Sequence, residues 1–279
     1  MLFDLHCHST CSDGSFAPEV IGERARVADV QVFSLTDHDS CEGSANASAE
    51  FARAHAPGTR ALRGVELSCR EYNNTIHLLI YDVANDERWQ TLDDLLVSQR
   101  KARRHRLLTI AARLEQRGIK IDAEAILEAK QGQSVGRPDI ANAMVEVGAV
   151  SSHREAFERY LHDGGLADVP INRVGMEQAL ALVKQVGARA SLAHPHQFKP
   201  GASRLFEEFR GHGLDGIEAF YQQYTNKQRK KWLELARKHK LVTTGGSDFH
   251  GEGYAAVTDM GVDIPESYAA PLRDWLELS

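Results

Sequence analysis

Histidines and carboxylates recur along the whole chain, set against short apolar runs: Asp4-Leu5-His6-Cys7-His8 with Asp13, Thr36-Asp37-His38-Asp39, Gly64-Val65-Glu66, His77, His194-Pro195-His196 and Gly246-Ser247-Asp248-Phe249-His250. Any fold that uses all of them must bring the ends of many strands to one place. Parallel strands covered by helices do this, and the sequence alternates accordingly. The pattern predicts strands near 2–6 and 31–36, helices over 18–29 and 44–55, and strands over Arg60–Leu67 and Thr75–Tyr81. It resumes with helix 175–187, strand 189–193, helix 202–212, strand 215–220, helix 225–239, strand 241–245, strand 258–263 and helix 268–277. In this reading His6, His38, Glu66, His194 and Asp248 stand at the carboxyl ends of strands, the face where parallel barrels gather their chemistry.

Between the two alternating stretches the texture changes. Residues 86–167 are rich in Arg, Glu, Ala and Leu, and Leu107, Ile110, Ala111 and Leu114 form a helical i, i+3, i+4 stripe. We expect residues 1–85 and 168–279 to form one α/β domain, with 86–167 a helical insertion capping the active site. A chain of 279 residues suits such a barrel with an insertion.

The net charge of -6 argues against a coat for long nucleic acid, which needs a basic excess. A small anion remains open where positive charge is local, as in Arg100-Lys101-Ala102-Arg103-Arg104-His105-Arg106. No run approaches the ~20 apolar residues of a membrane span, and the opening Met-Leu-Phe-Asp-Leu-His reads as a strand leading into chemistry, so a cytoplasmic protein is expected. Cys7, Cys11, Cys41 and Cys69 form no CxxC pair and read as reduced thiols. Cys7 alternates with His6 and His8 on an extended segment, so it should point away from them.

Two histidines two residues apart on a strand face the same side and can bind one cation. Asp248-Phe249-His250 repeats that spacing behind Gly245 and Gly246, and His38 sits between Asp37 and Asp39. Each motif alone is equally an ordinary polar loop. Their convergence at one end of a barrel is far harder to reach by accident.

The HxH, TDHD, Glu, HP and SDxH motifs, in this order, resemble those of the PHP family of polymerase and histidinol phosphatase domains. The resemblance covers nearly the whole chain outside the helical insertion. It implies a distorted (β/α)7 TIM-like barrel holding up to three divalent metals. A first metal would take His6, His8, Glu66 and Asp248; Glu66 would bridge to a second held by His77 and His194; Asp13, His38 and His250 would take a third. Catalysis would rest on Asp13, His38, Glu66, His194 and Asp248. A carboxylate at Asp13, where many relatives have histidine, favours Mn²⁺ or Mg²⁺, with Fe²⁺ and Zn²⁺ as other loadings. Three divalent ions against Asp13, Glu66 and Asp248 leave an excess of about three positive charges, which hydroxide and a phosphate dianion would neutralise. Ions ~3.5–4 Å apart can generate that hydroxide and clamp the oxygens of an in-line displacement. Asp37 and Asp39 would orient ligands or cap loops.

For the substrate, Gln133-Ser134-Val135-Gly136-Arg137-Pro138-Asp139 places a Pro at the first helical position after a glycine, next to Ser134 and Arg137, a fair phosphate site. Gly-Arg-Pro here also resembles the nucleotide-acting PHP subgroup. Lys101, Arg104 and His196 are further candidate phosphate contacts, and Tyr72, Phe198, Phe220 and Tyr221 can stack on a base or pack in the core. The resemblance implies a phosphatase removing the 3'-phosphate of a nucleoside 3',5'-bisphosphate through metal-activated hydroxide. A histidinol-phosphate phosphatase and a 5'-3' exonuclease on short oligonucleotides are the alternatives. A catalytically dead binding relative would lack ligands, and none is missing. The motif order argues against C–N bond hydrolysis, and no G-x-S-x-G elbow suggests a serine nucleophile.

Overall fold

The alternation materialises as many very short strands, which position the chemistry by their ends. The computed structural model describes residues 1–54, 58–84, 86–162, 164–198, 201–251, 257 and 259–278. The chain divides into two units, Met1–Leu96 with Arg173–Ser279, and Val97–Asn172.

The first unit starts with β1 (Leu2–Asp4), α1 (Pro18–Val27), β2 (Val32–Phe33), α2 (Ser44–Phe51), β3 (Arg60–Ala61), β4 (Gly64–Glu71) and β5 (Asn74–Tyr81). A long helix, α3 (Gln90–Glu115), leads into the second unit, which continues with α4 (Ala123–Ala129), α5 (Arg137–Glu146) and α6 (His153–Ala156). The first unit resumes with β6 (Val174–Gly175), α7 (Met176–Gln185), β7 (Arg189–Leu192), α8 (Ala202–Phe209), β8 (Leu214–Tyr221), α9 (Asn226–His239), β9 (Val242–Gly246), β10 (Val262–Asp263) and α10 (Glu266–Trp275). The part of the anticipated last strand at residue 258 lies outside the described residues. Trp89, Leu92 and Leu96 of the stretch read as insertion are buried in the core of the first unit.

Two sheets form, in the orders β10-β1-β2-β3 and β6-β4-β5-β7-β8-β9. Neighbours β1, β2 and β3 are parallel, as are β7, β8 and β9. The expectation of parallel strands fails at β5, which is antiparallel to both β4 and β7, and at β10, antiparallel to β1. The reason is local. Tyr72 and Asn73 both adopt left-handed backbone, φ 47 and 61, which gives the two-residue turn whose twist suits a hairpin. A parallel crossover between the two anticipated strands would need a dozen or more residues, and the sequence leaves only a few.

The run Arg60–Leu67 also splits, with β3 in one sheet and β4 in the other. Gly64 sits at the break, where a Cβ would come within 2.2 Å of Ser34 Oγ, so the close approach demands glycine. Backbone bonds past the strand ends join the sheets. Leu5 N donates to Gly245 O (3.1 Å), Asp248 N to His6 O (2.7 Å) and His8 N to Phe249 O (2.9 Å) on one side; Glu66 N donates to Thr36 O (3.2 Å) and Asp39 N to Glu66 O (3.0 Å) on the other.

The main core of the first unit includes Phe3, Leu5, Val65, Leu67, Leu78, Ile80, Phe206 and Phe220, all essentially inaccessible. A smaller core under α1 and α2 holds Cys7, Ile21, Phe33, Phe51 and Phe249. The helical unit has its own core around Leu107, Ile110, Leu114, Ile140 and Met144, which realises the predicted stripe. Within it Pro138 takes the second position of α5, one later than expected, and Asp139 Oδ2 accepts from the Gly136 amide (2.7 Å). Among the described residues no helix is long and apolar enough to cross a membrane.

Candidate metal centre

β1 ends at Asp4, and the chain continues extended, so residues 6 and 8 share a side while residue 7 takes the other. Cys7 Sγ accordingly turns to Ser34 O and the small core. His6 and His8 are both fully buried. Their Nε2 atoms converge with Asp248 Oδ1, 3.2 Å from each, and Glu66 Oε2, at 3.3 and 3.2 Å. Asp248 adopts left-handed backbone, φ 55, where the end of β9 turns, and this strained position is held by the hydrogen bond its amide donates to His6 O. The Tyr221 hydroxyl donates to its other oxygen, Oδ2, at 2.8 Å.

Glu66, on β4, spans the site. Its Oε1 lies 3.0 Å from His77 Nδ1 and 2.9 Å from His194 Nε2, and its Oε2 lies 3.0 Å from His38 Nδ1. The hairpin places His77 beside it, because Ser68 and His77 are cross-strand partners. Asp13 completes the set from the loop after His8, 3.5 Å from His250 Nε2 and 3.8 Å from both His8 Nδ1 and His38 Nε2. The structure thus brings all nine candidate ligands together, in overlapping groups of donor atoms within 4.8 Å: His8, Asp13, His38 and His250; His6, His8 and Asp248; His6, Glu66 and His194; His38, Glu66 and His77. His8, His38, His6 and Glu66 each serve more than one group, where the resemblance shared only Glu66.

Among the described residues, His6 Nε2, His8 Nε2, His38 Nδ1, Asp13 Oδ1 and Glu66 Oε2 are buried with no hydrogen-bond partner. Such atoms are costly to bury, by about 1–3 kcal/mol each. They approach one another closely yet without hydrogen-bond geometry, which is how lone pairs lie when aimed at a common point. The donor set of imidazoles and carboxylates therefore fits divalent cations.

Electrostatics in the absence of cations agrees. Burial alone would lower His8, but the close approach of the Asp248 and Glu66 carboxylates and the charge of Asp13 raise it to about 10. His6 is raised well above its usual range against the same burial penalty, by Glu218, Asp248 and Glu66. Burial would raise Glu66, Asp13 and Asp248, yet the surrounding histidines hold all three well below the usual carboxylate range. His77 goes the other way, to about 4, because burial outweighs the pull of Glu66.

Supporting residues surround the donors, and the sequence reading gave no role to two of them, Asp4 and Glu218. Asp4 is fully buried and accepts from Ser247 N and Oγ and from Gly261 N, so it fixes the loop bearing Asp248. Glu218, on β8, is fully buried between His6 Nδ1 and the His194 amide. Its only sequence signal is an acid inside an apolar strand. Asp37 accepts from Ser9 N and from the Ser9 and Ser12 hydroxyls, which fixes the start of the Asp13 loop, and Asp39 accepts from Ser68 N. Capping a loop and orienting a ligand are here one task.

The candidate substrate contacts divide. His196 lies on the His194 loop, its Nδ1 2.9 Å from the Tyr224 hydroxyl. Lys101, Arg104, Ser134 and Arg137 belong to the helical unit. Lys101 is exposed on α3. Arg104 donates to the Leu127 and Lys130 carbonyls at the carboxyl end of α4, at 2.8 and 3.2 Å, and Arg137 to Leu161 O at 2.8 Å. Ser134 Oγ is buried without a hydrogen-bond partner. Of the candidate aromatics, Phe198, Phe220 and Tyr221 are buried.

A family model for the PHP domain matches residues 4–163. The chain is 33% identical to the 5'-3' exoribonuclease Rnm of Escherichia coli strain K12 over 253 residues, 90% of this chain and 85% of that protein. It is 31% identical to the 3',5'-nucleoside bisphosphate phosphatase of Chromobacterium violaceum over 254 residues, 90% of this chain and 87% of that one. A solved structure of an amidohydrolase from Chromobacterium violaceum, with bound sulfate and no metal, matches with a TM-score of 0.83 at 30% identity. It covers 95% of this chain and 92% of that chain.

Proposed function

The chain belongs to the PHP domain family, and from that premise we propose that it removes the 3'-phosphate of a nucleoside 3',5'-bisphosphate. It is a metal-dependent phosphoesterase of that family. The observation that carries the reading is the nine-residue donor set whose innermost atoms lack hydrogen-bond partners. Divalent cations bound there would acidify water and neutralise charge on a phosphoester. We assign two or three such ions, and Mn²⁺ first, because Asp13 offers a hard oxygen beside imidazoles; Mg²⁺, Fe²⁺ and Zn²⁺ are the competing loadings.

Turnover is assigned to Asp13, His38, Glu66, His194 and Asp248. Glu66 joins the two sides of the centre, facing His77 and His194 with one oxygen and His6, His8 and His38 with the other. The side chains of Asp13, His38, His77 and His250 keep some exposure while His6 and His8 have none, so substrate is read to approach from the former side. His196, beside His194, with Ser134 and Lys101 are assigned to substrate phosphate, while Arg104 and Arg137, whose guanidinium groups hold backbone carbonyls of the helical unit, are read as scaffold. The unsatisfied Ser134 hydroxyl supports this most directly, since an incoming phosphoryl oxygen would complete it.

We also read the two sheets of the first unit as one distorted (β/α)7 barrel. Support comes from the backbone bonds that link β1 to β9 and β2 to β4 beyond their ends. The name of the Escherichia coli relative favours a second reading, 5'-3' exonucleolytic cleavage of short oligonucleotides.

The test is phosphate release by the Mn²⁺-loaded protein from adenosine 3',5'-bisphosphate, beside 5'-AMP, histidinol phosphate and a short oligoribonucleotide. We expect selective formation of 5'-AMP. Release from histidinol phosphate alone, or mononucleotides from the oligomer alone, would replace the assignment.

A further inference from the structure

Among the described residues, Glu218 is the one buried carboxylate that touches two of the metal-site histidines from outside the donor set. It comes from β8, while His6 follows β1 and His194 follows β7. Its Oε1 lies 2.8 Å from His6 Nδ1, and its Oε2 accepts from the His194 backbone amide at 2.6 Å. Neither side-chain oxygen is left over, and the residue has no exposure.

Both contacts act on the same ligand group, His6, Glu66 and His194. A carboxylate offers only acceptors, so the His6 ring must donate from Nδ1. That fixes the tautomer and leaves the Nε2 lone pair pointing inward, where it has no hydrogen-bond partner. His194 is held at φ 25, ψ 64, a left-handed conformation that a histidine rarely adopts. Its amide would lose that anchor without Glu218, and its Nε2 would no longer be held 2.9 Å from Glu66 Oε1.

We propose that Glu218 is a positioning residue for cation binding, which sets the His6 tautomer and pins the strained His194 with its two oxygens at once. Two donors at fixed places need two acceptors. Glutamine, of equal size, has one acceptor oxygen and one donor nitrogen. With its nitrogen toward His6 it forces the tautomer that carries a proton on Nε2; with its nitrogen toward His194 two donors collide.

The inference rests on the metal reading and is independent of the substrate. Binding of Mn²⁺ to the stripped full-length protein is measured by calorimetry for wild type, Glu218→Gln and Glu218→Asp, with folding followed by circular dichroism. Loss of an ordering partner of this kind weakens metal affinity about 10–100-fold, and E218Q should show that for one class of ion. E218D keeps two acceptors and should bind more tightly than E218Q. Wild-type affinity in E218Q, or E218D weaker than E218Q, would mean that the side chain merely fills space and would overturn the proposal. Should E218Q not fold, nitrogen-15 NMR of the Zn²⁺-loaded wild type decides: His6 protonated at Nδ1 and metal-coupled at Nε2 supports it, and the reverse overturns it. Absence of any binding by wild type would instead sink the metal reading, and failure to cleave adenosine bisphosphate would leave Glu218's role intact.

Discussion

The two units carry polar side chains of opposite kinds in opposite conditions. In the first, the innermost histidine and carboxylate atoms are buried, crowded and without hydrogen-bond partners. In the second, the arginines are engaged: Arg104 holds the Leu127 and Lys130 carbonyls, Arg106 the Val169 carbonyl at 2.6 Å and Asp168, and Arg137 the Leu161 carbonyl. Residue type alone would mark both regions as functional. The state of each polar atom separates a site built to receive a cation from a scaffold that spends its cations on backbone carbonyls.

The largest effect should come from the first region. Replacing Asp248 or His77 by alanine should lower kcat/KM by about 10³-fold or more, since the ligands act as a unit, with the far-ultraviolet circular dichroism unchanged. Near wild-type turnover in either variant would break the comparison at its stronger end.

Next comes Arg104→Ala, which should reduce unfolding free energy by about 1–3 kcal/mol, as loss of charged hydrogen bonds does, with KM unchanged. A raised KM at unchanged stability, from urea titration beside steady-state kinetics, would move Arg104 from scaffold to substrate. Among the described residues of its unit Ser134 is the exception, because its buried hydroxyl has no hydrogen-bond partner. Ser134→Ala should leave stability the same or slightly higher and raise KM roughly tenfold, about 1.4 kcal/mol of lost substrate contact. Unchanged KM would dissolve the exception.

A smaller effect is one of protons. A group whose folded pKa is raised stabilises the fold fully below its unfolded value, about 6.5 for histidine, and loses that effect as pH rises through its folded value. For His8 in the cation-free protein the window therefore runs from there to about 10. At pH 8 His8 is protonated, and a cation must displace that proton. Mn²⁺ uptake in weak buffer should release about one proton from this group; uptake with no release would contradict the crowding described for the centre.

Much of this was legible in the residues. The βα alternation and the recurrence of HxH, TDHD and SDxH motifs after apolar runs anticipated an α/β unit whose strand ends gather nine donors. The β4–β5 hairpin was not foreseen, although Tyr72-Asn73 and the short link between apolar runs signalled it; a parallel pattern was carried one strand too far. The grouping of donors could not be read, because which oxygen of Glu66 meets which histidine depends on the sheet geometry that sets β4 beside β5. The roles of Glu218 and Asp4 were invisible for a related reason. A single acid in an apolar run acquires meaning only when its partners, far away in sequence, are seen against it.

The most direct measurement is phosphate release from adenosine 3',5'-bisphosphate by the protein before chelator stripping, after it, and after Mn²⁺ is returned, with bound metal counted at each stage. Activity that vanishes with the metal and returns with two or three ions per chain is the predicted result. A rate unchanged by stripping would contradict the account.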